Sequence, residues 1–203
     1  MRYVGFVILI GLLIVILFSN ILNSAKHSVF GFVSDPSFFE PAPIVKKVGS
    51  RQFVLARLYS THPFNYRNLV AISLGSRSSS IKPGDAVTTD GQTLIGQVVE
   101  VNPDYSLVKT IFDSEWSLPV RIGAKAADGL LIGRQDPLVT TIEKSQGVMV
   151  GDPIYSAGRE FPLGMKIGVI KEIYDSPTIA FIQAKVGLDY NFNQLRELWV
   201  LSN

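Results

Sequence analysis

The first apolar stretch of the chain has no polar face. From Tyr3 to Phe18 it reads YVGFVILIGLLIVILF, and Ile21 and Leu22 extend it past two polar residues. A helix that spans a bilayer needs about 20 such residues, so residues 4–23 are predicted to form one transmembrane helix. A cleaved signal peptide is the alternative, although its apolar core is usually shorter and is followed by a small-residue cleavage site.

The orientation of this helix follows from the charges around it. Arg2 and the amino terminus are the only charges that precede it, and positively charged flanks stay on the cytoplasmic side. Residues 1–3 are therefore predicted to be cytoplasmic and all later residues extracytoplasmic. The chain is expected to be a single-pass protein of the cytoplasmic (inner) membrane.

Residues 24–50 are predicted to be a linker. They contain three prolines and two glycines and show no helical period, which is typical of an extended tether. Four phenylalanines are unusual in such a segment: Phe30, Phe32, Phe38 and Phe39. They are expected at the lipid surface or beneath the following module; docking to a partner helix in the membrane is the alternative.

After Arg51 the pattern changes to short runs in which apolar and polar residues alternate. Val70, Ile72 and Leu74 share one face of such a run, and residues 178–186 form another. About ten to twelve runs of this kind, separated by Gly, Pro, Asn and Asp, indicate a sandwich or barrel. Residues 51–203 are therefore predicted to be an all-β module.

Two stretches of this module share one plan. Ile81–Val101 and Val148–Ile173 both contain a Gly-Asp pair followed by a strand with an internal glycine. The matching residues are Gly84 and Asp85 with Gly151 and Asp152, and Gly96 with Gly168. The repeat predicts two related small β units, with tight turns at the Gly-Asp pairs and bends at the strand glycines. A phosphate-binding role is disfavoured because no Lys-Ser/Thr pair follows the glycines.

Composition excludes several classes of function. The chain has 19 Lys and Arg against 17 Asp and Glu, with a net charge of +2 and no cysteine. Scattered basic residues do not suit a nucleic-acid partner, and without cysteine there are no disulfides, thiolate metal sites or thiol nucleophiles. No cofactor and no small-molecule substrate are predicted.

Candidate catalytic residues are few. His27 lies close to the predicted membrane segment, so His62 is the one histidine available as a general base. Ser156 is the nearest candidate for a nucleophile but lacks the surroundings of an oxyanion hole, and nothing pairs Lys82 or Lys166 with a serine.

Metal and acid/base chemistry also lack a pattern. The two histidines are far apart, and no H-x-x-H motif occurs. Asp104, Asp113 and Glu115 could supply an acid/base pair, but solvated turn carboxylates are the favoured interpretation. The chain is predicted not to be an enzyme, with no catalytic and no metal-binding residue.

Several segments taken together resemble the MreC family of rod shape-determining proteins. They are residues 69–101, 106–122, 148–173 and 195–201. The F-P-x-G-x-x-x-G element is the most specific part and comprises Phe161, Pro162, Gly164 and Gly168. The resemblance covers about residues 53–201.

This resemblance implies a fold and a function. It implies two small, about six-stranded β-barrels on a membrane stalk, one over about 68–124 and one over about 125–203 with 51–67. It implies a scaffold of cell-wall elongation that binds a class B penicillin-binding protein, MreD- and RodA-type membrane proteins and further copies of itself. The chain departs from the family pattern because no heptad repeat precedes the barrels, so a coiled-coil dimer is not expected.

Three aromatic residues are the candidate partner-binding positions: Phe64, Tyr66 and Trp116. They occur in segments that are expected to be loops, and aromatic anchors supply much of the energy of protein interfaces. Packing in the core is the alternative for Trp116. Two other functions stay open, a membrane-anchored, serine-protease-like hydrolase that uses His62 and a periplasmic adaptor of a transport complex.

Overall fold

The structure is a computed structural model that describes residues 44–48, 51–59, 67–162, 164–175 and 180–202. The predicted transmembrane helix, most of the predicted linker, His62, Phe64 and Tyr66 lie outside these ranges. Within the ranges, no helix has the length and apolar character that crossing a membrane requires.

The described ranges are all-β, as predicted. They contain thirteen strands and two 3-10 helices, Lys144–Gln146 and Phe192–Gln194. The strands are β1 Val45–Val48, β2 Arg51–Arg57, β3 Leu69–Ile72, β4 Ala86–Thr88, β5 Leu94–Val101, β6 Ser106–Thr110, β7 Ser117–Ile122, β8 Ala127–Ile132, β9 Leu138–Glu143, β10 Pro153–Ser156, β11 Lys166–Tyr174, β12 Phe181–Gly187 and β13 Glu197–Ser202.

Strands β7 to β12 close into a six-stranded antiparallel barrel. Their order is β10-β11-β12-β9-β8-β7. In β7, Leu118, Val120 and Ile122 are at most 1% exposed, whereas the residues between them are exposed. This period of two places one face of the strand in the barrel interior. One of the two predicted barrels is thereby confirmed.

The remaining strands form a seven-stranded sheet in the order β1-β2-β13-β4-β5-β6-β3. The sheet curves so that its β2 and β3 sides meet. An isolated β-bridge joins Leu58, directly after β2, to Ile72 of β3. Beside the bridge, the backbone N–H of Tyr59 donates to the carbonyl of Ala71 at 3.0 Å. Strand β1 pairs with the other part of the β2 edge, from Val54 to Arg51.

The expected division at residues 124 and 125 is corrected by the strand pairing. Strand β7 belongs to the barrel, where it pairs with β8 across the short turn at 123–126. Strand β13 belongs to the sheet, where it pairs with β2 and β4. Alternation in a sequence reveals a strand but not its neighbour, so the predicted boundary cut through the β7–β8 hairpin.

The expected linker is also shorter than predicted at its C-terminal end. Residues 45–48, which were assigned to it, form β1 and pair with β2. Two adjacent lysines lie between two valines there, and lysine on an edge strand is compatible with pairing while it discourages aggregation.

The sequence repeat is confirmed as a structural repeat. Strands β4, β5 and β6 correspond to β10, β11 and β12, since Val87 pairs with Gly96 as Ile154 pairs with Gly168. Both copies have a register shift at the same place after these glycines: Val98 to Glu100 against β6, and Ile170 to Glu172 against β12.

The two copies exchange their last strands. In the sheet, β13 lies between β2 and β4; in the barrel, β7 lies between β8 and β10. Strands β7 and β13 therefore occupy equivalent positions. Strand β7 follows the first copy along the chain but completes the barrel of the second copy. Strand β13 follows the second copy but completes the sheet of the first.

Candidate partner-binding surface

The two Gly-Asp pairs form the same hydrogen-bonded turn. Asp85 Oδ2 accepts from the backbone N–H of Lys82 at 2.7 Å, and Asp152 Oδ2 accepts from that of Met149 at 2.8 Å. The preceding glycines have φ angles of +99° at Gly84 and +95° at Gly151. Burial raises the pKa of the Asp85 carboxyl, although the hydrogen bond from Lys82 lowers it. Both pairs are thus used as turns that lead into a strand.

The strand glycines allow close approach of neighbouring strands. A Cβ atom on Gly96 would collide with the backbone carbonyl of Lys109 on β6, and one on Gly168 with the carbonyl of Gly187 on β12. No larger residue fits at these positions unless the strands separate.

The F-P-x-G element shapes the connection between β10 and β11. Phe161 is 4% exposed, and Gly164 has a φ of +77°. The Ser156 hydroxyl donates to the carbonyl of Pro162 at 2.9 Å and accepts from the N–H of Met165 at 3.1 Å. The hydrogen bonds of Ser156, the candidate nucleophile, are therefore made within this connection.

The candidate carboxylates form ion pairs with nearby basic residues. Asp104 pairs with Arg77 at 2.8 Å. Lys109 Nζ lies 2.8 Å from Glu115 and 3.8 Å from Asp113. Asp104 thus has a different basic partner from Asp113 and Glu115, which share Lys109.

Of the candidate bases, His62 lies outside the described residues. Lys166 Nζ lies 2.6 Å from Asp189 Oδ2, and this hydrogen bond raises the pKa of Lys166. Lys82 is exposed in the first Gly-Asp turn. Among the described residues, no group of three or more His, Asp or Glu side chains is placed to hold a metal ion.

Trp116 is a core residue, and the expectation that it is an exposed loop aromatic is corrected. It is 6% exposed and stacks on Phe161, with ring centroids 5.7 Å apart and planes at 28°. The β10–β11 connection covers the indole, which the local sequence around Trp116 did not reveal. Its buried Nε1 has no hydrogen-bond partner among the described residues.

Two of the cavities in the described structure are candidates for a ligand site. One of about 140 Å³ is lined by Gln97, Lys109, Glu115, Trp116, Ser117, Glu160 and Phe161. The other, of about 310 Å³, is lined by Arg134, Gln135, Asp136, Leu138, Tyr174 and Lys185. Sites for small organic ligands usually measure about 300–1,000 Å³ and are mainly apolar, so neither cavity has the character of a substrate pocket.

Phe64 and Tyr66 stay predictions, but the residues beside their segment are described. Tyr59 is 43% exposed. The guanidinium of Arg67 lies 4.8 Å from the ring centroid of Phe112, and its carbonyl accepts from the Thr110 hydroxyl. Arg67, the residue that follows this segment in the sequence, therefore lies next to the end of β6.

Sequence analysis missed the most exposed apolar pair in the described structure. Met149 is 67% exposed and Val150 is 64% exposed. They lie in the second Gly-Asp turn, directly before Gly151. In the first turn Lys82 and Pro83 occupy the equivalent positions. This difference between the two repeat copies was the signal in the sequence that could have identified Met149 and Val150 as exposed.

The comparisons with known proteins agree with this architecture. The family profile described as the rod shape-determining protein MreC, barrel core, matches residues 59–202. Among curated proteins no significant match was found.

Solved structures of MreC proteins share the fold. MreC from Listeria monocytogenes has a TM-score of 0.66 and 19% identity over 93% of this chain and 90% of that one. The crystal structure of MreC from Pseudomonas aeruginosa has a TM-score of 0.63 and 21% identity over 73% of this chain and 97% of that one. MreC in a complex with penicillin-binding protein PBP2 from Helicobacter pylori has a TM-score of 0.56 and 16% identity, over 75% and 99% of the two chains. Because the family profile spans well over half of the chain, this protein belongs to the MreC family of rod shape-determining proteins.

Proposed function

We propose that the protein is a membrane-anchored extracytoplasmic scaffold that maintains rod cell shape by binding peptidoglycan-synthesis proteins. The match of residues 59–202 to the barrel core of the family carries this proposal. The Helicobacter pylori relative of the same fold forms a complex with PBP2, which supports a penicillin-binding protein as the partner here.

The proposed anchor is residues 4–23, with the β module outside the cytoplasm. The apolar run without a charge supports it. Replacement of residues 4–23 by a cleavable secretion signal is expected to move the protein from the membrane fraction to the soluble extracytoplasmic fraction. Retention of the truncated protein in the membrane would argue against this anchor.

The proposed contact residues are Phe64 and Tyr66, whereas the burial of Trp116 favours a role in holding the module together. Further proposed partners are MreD- and RodA-type membrane proteins and other copies of this chain. The segment of Phe64 and Tyr66 begins beside Tyr59, which is itself exposed, and exposed aromatics are efficient anchors in an interface.

The decisive experiment is a binding measurement with purified full-length protein in detergent and the class B penicillin-binding protein of the same cell. Replacing Phe64 and Tyr66 by alanine is expected to weaken binding about tenfold or more. Val99→Ala, at a strand residue that is 39% exposed, is the matched control and should bind like the wild type. Absence of wild-type binding would refute the proposed partner, and unchanged binding of the double variant would remove these two positions from the interface.

A further inference from the structure

The turn at 148–152 exposes two large apolar side chains side by side. Met149 and Val150 are 67% and 64% exposed, more than any other large hydrophobic residue in the described ranges. Single exposed apolar residues are common on protein surfaces, but adjacent ones that form a patch mark sites of interaction.

The internal repeat shows that the turn itself does not require these side chains. The first turn has the same cross-strand hydrogen bond: Gly84 N–H donates to the carbonyl of Val98 at 2.8 Å, as Gly151 N–H donates to that of Ile170 at 2.8 Å. The first turn makes this geometry with Lys82 and Pro83, both exposed. Local folding of the second turn therefore does not require its apolar residues.

A neighbouring turn adds a positive charge to the patch. Gly123 N–H donates to the carbonyl of Pro153 at 2.8 Å, which holds the 123–126 turn against the start of β10. Lys125 Nζ lies 3.8 Å from the position of a Cβ built on Gly147. Lys125 is exposed and belongs to none of the ion pairs formed by described residues.

We name the surface formed by Met149, Val150, Ala124 and Lys125 the barrel tip. Strand β7 enters the barrel from the 111–116 connection and ends at the 123–126 turn. The barrel tip therefore lies at the end of β7 opposite the connection to the sheet, where the sheet does not cover it.

We propose that the barrel tip docks into an apolar pocket bordered by a carboxylate on the penicillin-binding protein that is the proposed partner. Methionine and valine supply the buried apolar area, and methionine adapts to irregular pockets. The ammonium of Lys125, which forms no ion pair with the residues that the structure describes, supplies the complementary charge. This inference rests on the proposed function and adds a second contact to the Phe64 and Tyr66 segment.

A lipid surface fits the tip less well. Proteins that bind at the bilayer interface through exposed apolar residues rely on tryptophan or phenylalanine with several basic residues, and binding to anionic lipid usually needs about four to eight of them. The barrel tip has one lysine and no aromatic side chain.

The repeat supplies the test variant. Met149→Lys with Val150→Pro gives the second turn the residues that the first turn already uses, so the hydrogen-bonded geometry is retained. Binding of the full-length protein in detergent to the purified penicillin-binding protein is expected to weaken about tenfold or more. The reverse exchange, Lys82→Met with Pro83→Val, is the matched control and should leave binding unchanged.

Lys125→Glu tests the charge. It is expected to weaken binding several-fold at low salt and less at high salt, since screening reduces the interaction.

Met149→Gln with Val150→Thr keeps the size of both side chains. This variant tests the apolar contact if Met149→Lys with Val150→Pro lowers the thermal midpoint.

The outcomes separate this inference from the proposed function. If the wild-type protein does not bind the enzyme, both fall. If it binds and the turn variants bind equally well, the barrel tip is not a contact although the proposed function stands. If the turn variants lose adsorption to vesicles of phosphatidylglycerol and phosphatidylethanolamine while they still bind the enzyme, the tip contacts the membrane and the inference is overturned.

Discussion

The exchange of β7 and β13 predicts that the sheet depends on the barrel, whereas the barrel does not depend on the sheet. All barrel strands lie within residues 117–187, but the sheet combines residues 45–110 with β13 at 197–202. The folded barrel therefore brings β13 back to β2 and β4.

The size of this effect follows from the chain between β6 and β13. When the barrel is unfolded, residues 111–196 become a flexible loop of about 86 residues, and closing such a loop costs about 4 kcal/mol plus a constant. A domain of this size has a total stability of only about 5–15 kcal/mol. The sheet should thus lose a large part of its stability whenever the barrel unfolds.

The two tryptophans allow each part to be followed separately. Trp199 lies in β13 of the sheet, and Trp116 packs on Phe161 of the barrel. Urea unfolding of residues 43–203, which form one compact unit, can be monitored in Trp116→Phe and Trp199→Phe backgrounds. Each background reports one tryptophan.

Two core substitutions provide the perturbation. Leu118 in β7 and Leu198 in β13 are both 0% exposed, and Leu→Ala at such sites costs about 2–5 kcal/mol. With a urea dependence of about 1–3 kcal/mol per molar, this moves a midpoint by about 1–2 M. Leu118→Ala should lower the midpoint of both tryptophan signals, whereas Leu198→Ala should lower that of Trp199 alone.

Either of two results would refute this reasoning. If Leu118→Ala left the Trp199 midpoint unchanged, the sheet would not need the folded barrel. If Leu198→Ala lowered both midpoints equally, the dependence would be mutual.

Three further predictions concern single residues. Gly168→Ala should destabilise the protein more than Gly151→Ala, because the new Cβ atom at residue 168 would collide with a neighbouring carbonyl. At residue 151 there is open space, and alanine meets only an unfavourable positive φ, which costs about 1–2 kcal/mol. Equal thermal midpoints of the two variants would contradict this. Burial acts to raise the pKa of Asp90, but hydrogen bonds from backbone amides two and three residues later lower this pKa below 3.8. The ionised Asp90 therefore stabilises the folded state above pH 3.8, and this stabilisation is lost as the pH falls through the lowered pKa. Asp90→Asn should therefore flatten the acid limb of stability below about pH 4, and an unchanged limb would argue against it. Phe161→Ala should cost about 3–5 kcal/mol and shift Trp116 emission to longer wavelength, whereas unaltered emission would show that the stacking does not shield the indole.

Local patterns in the sequence were sufficient for the elements and the repeat. Apolar residues at alternate positions predicted strands such as the one that contains Val70 and Ile72, because one face of each strand must be buried. The Gly-Asp pairs predicted the turns, since only glycine adopts a positive φ without strain. These inferences depend on neighbours along the chain.

The candidate surface was less accessible to sequence reasoning. Trp116 follows an acidic, polar segment and reads as an exposed loop residue, but the β10–β11 connection covers it. Met149 and Val150 were given no role by sequence reasoning, although they are the most exposed large apolar residues of the described ranges. For Trp116 a distant segment decides the exposure, and a sequence does not state which segments meet.

The sequence by itself determined an all-β module with two copies of one turn-and-strand plan, because backbone conformation and face alternation are local properties. Only the tertiary structure decided that each copy is completed by the strand that follows the other, and that one apolar pair is left at the barrel tip. Those outcomes depend on hydrogen bonds between strands far apart in the chain, such as β2 with β13, and many pairings satisfy the same local pattern.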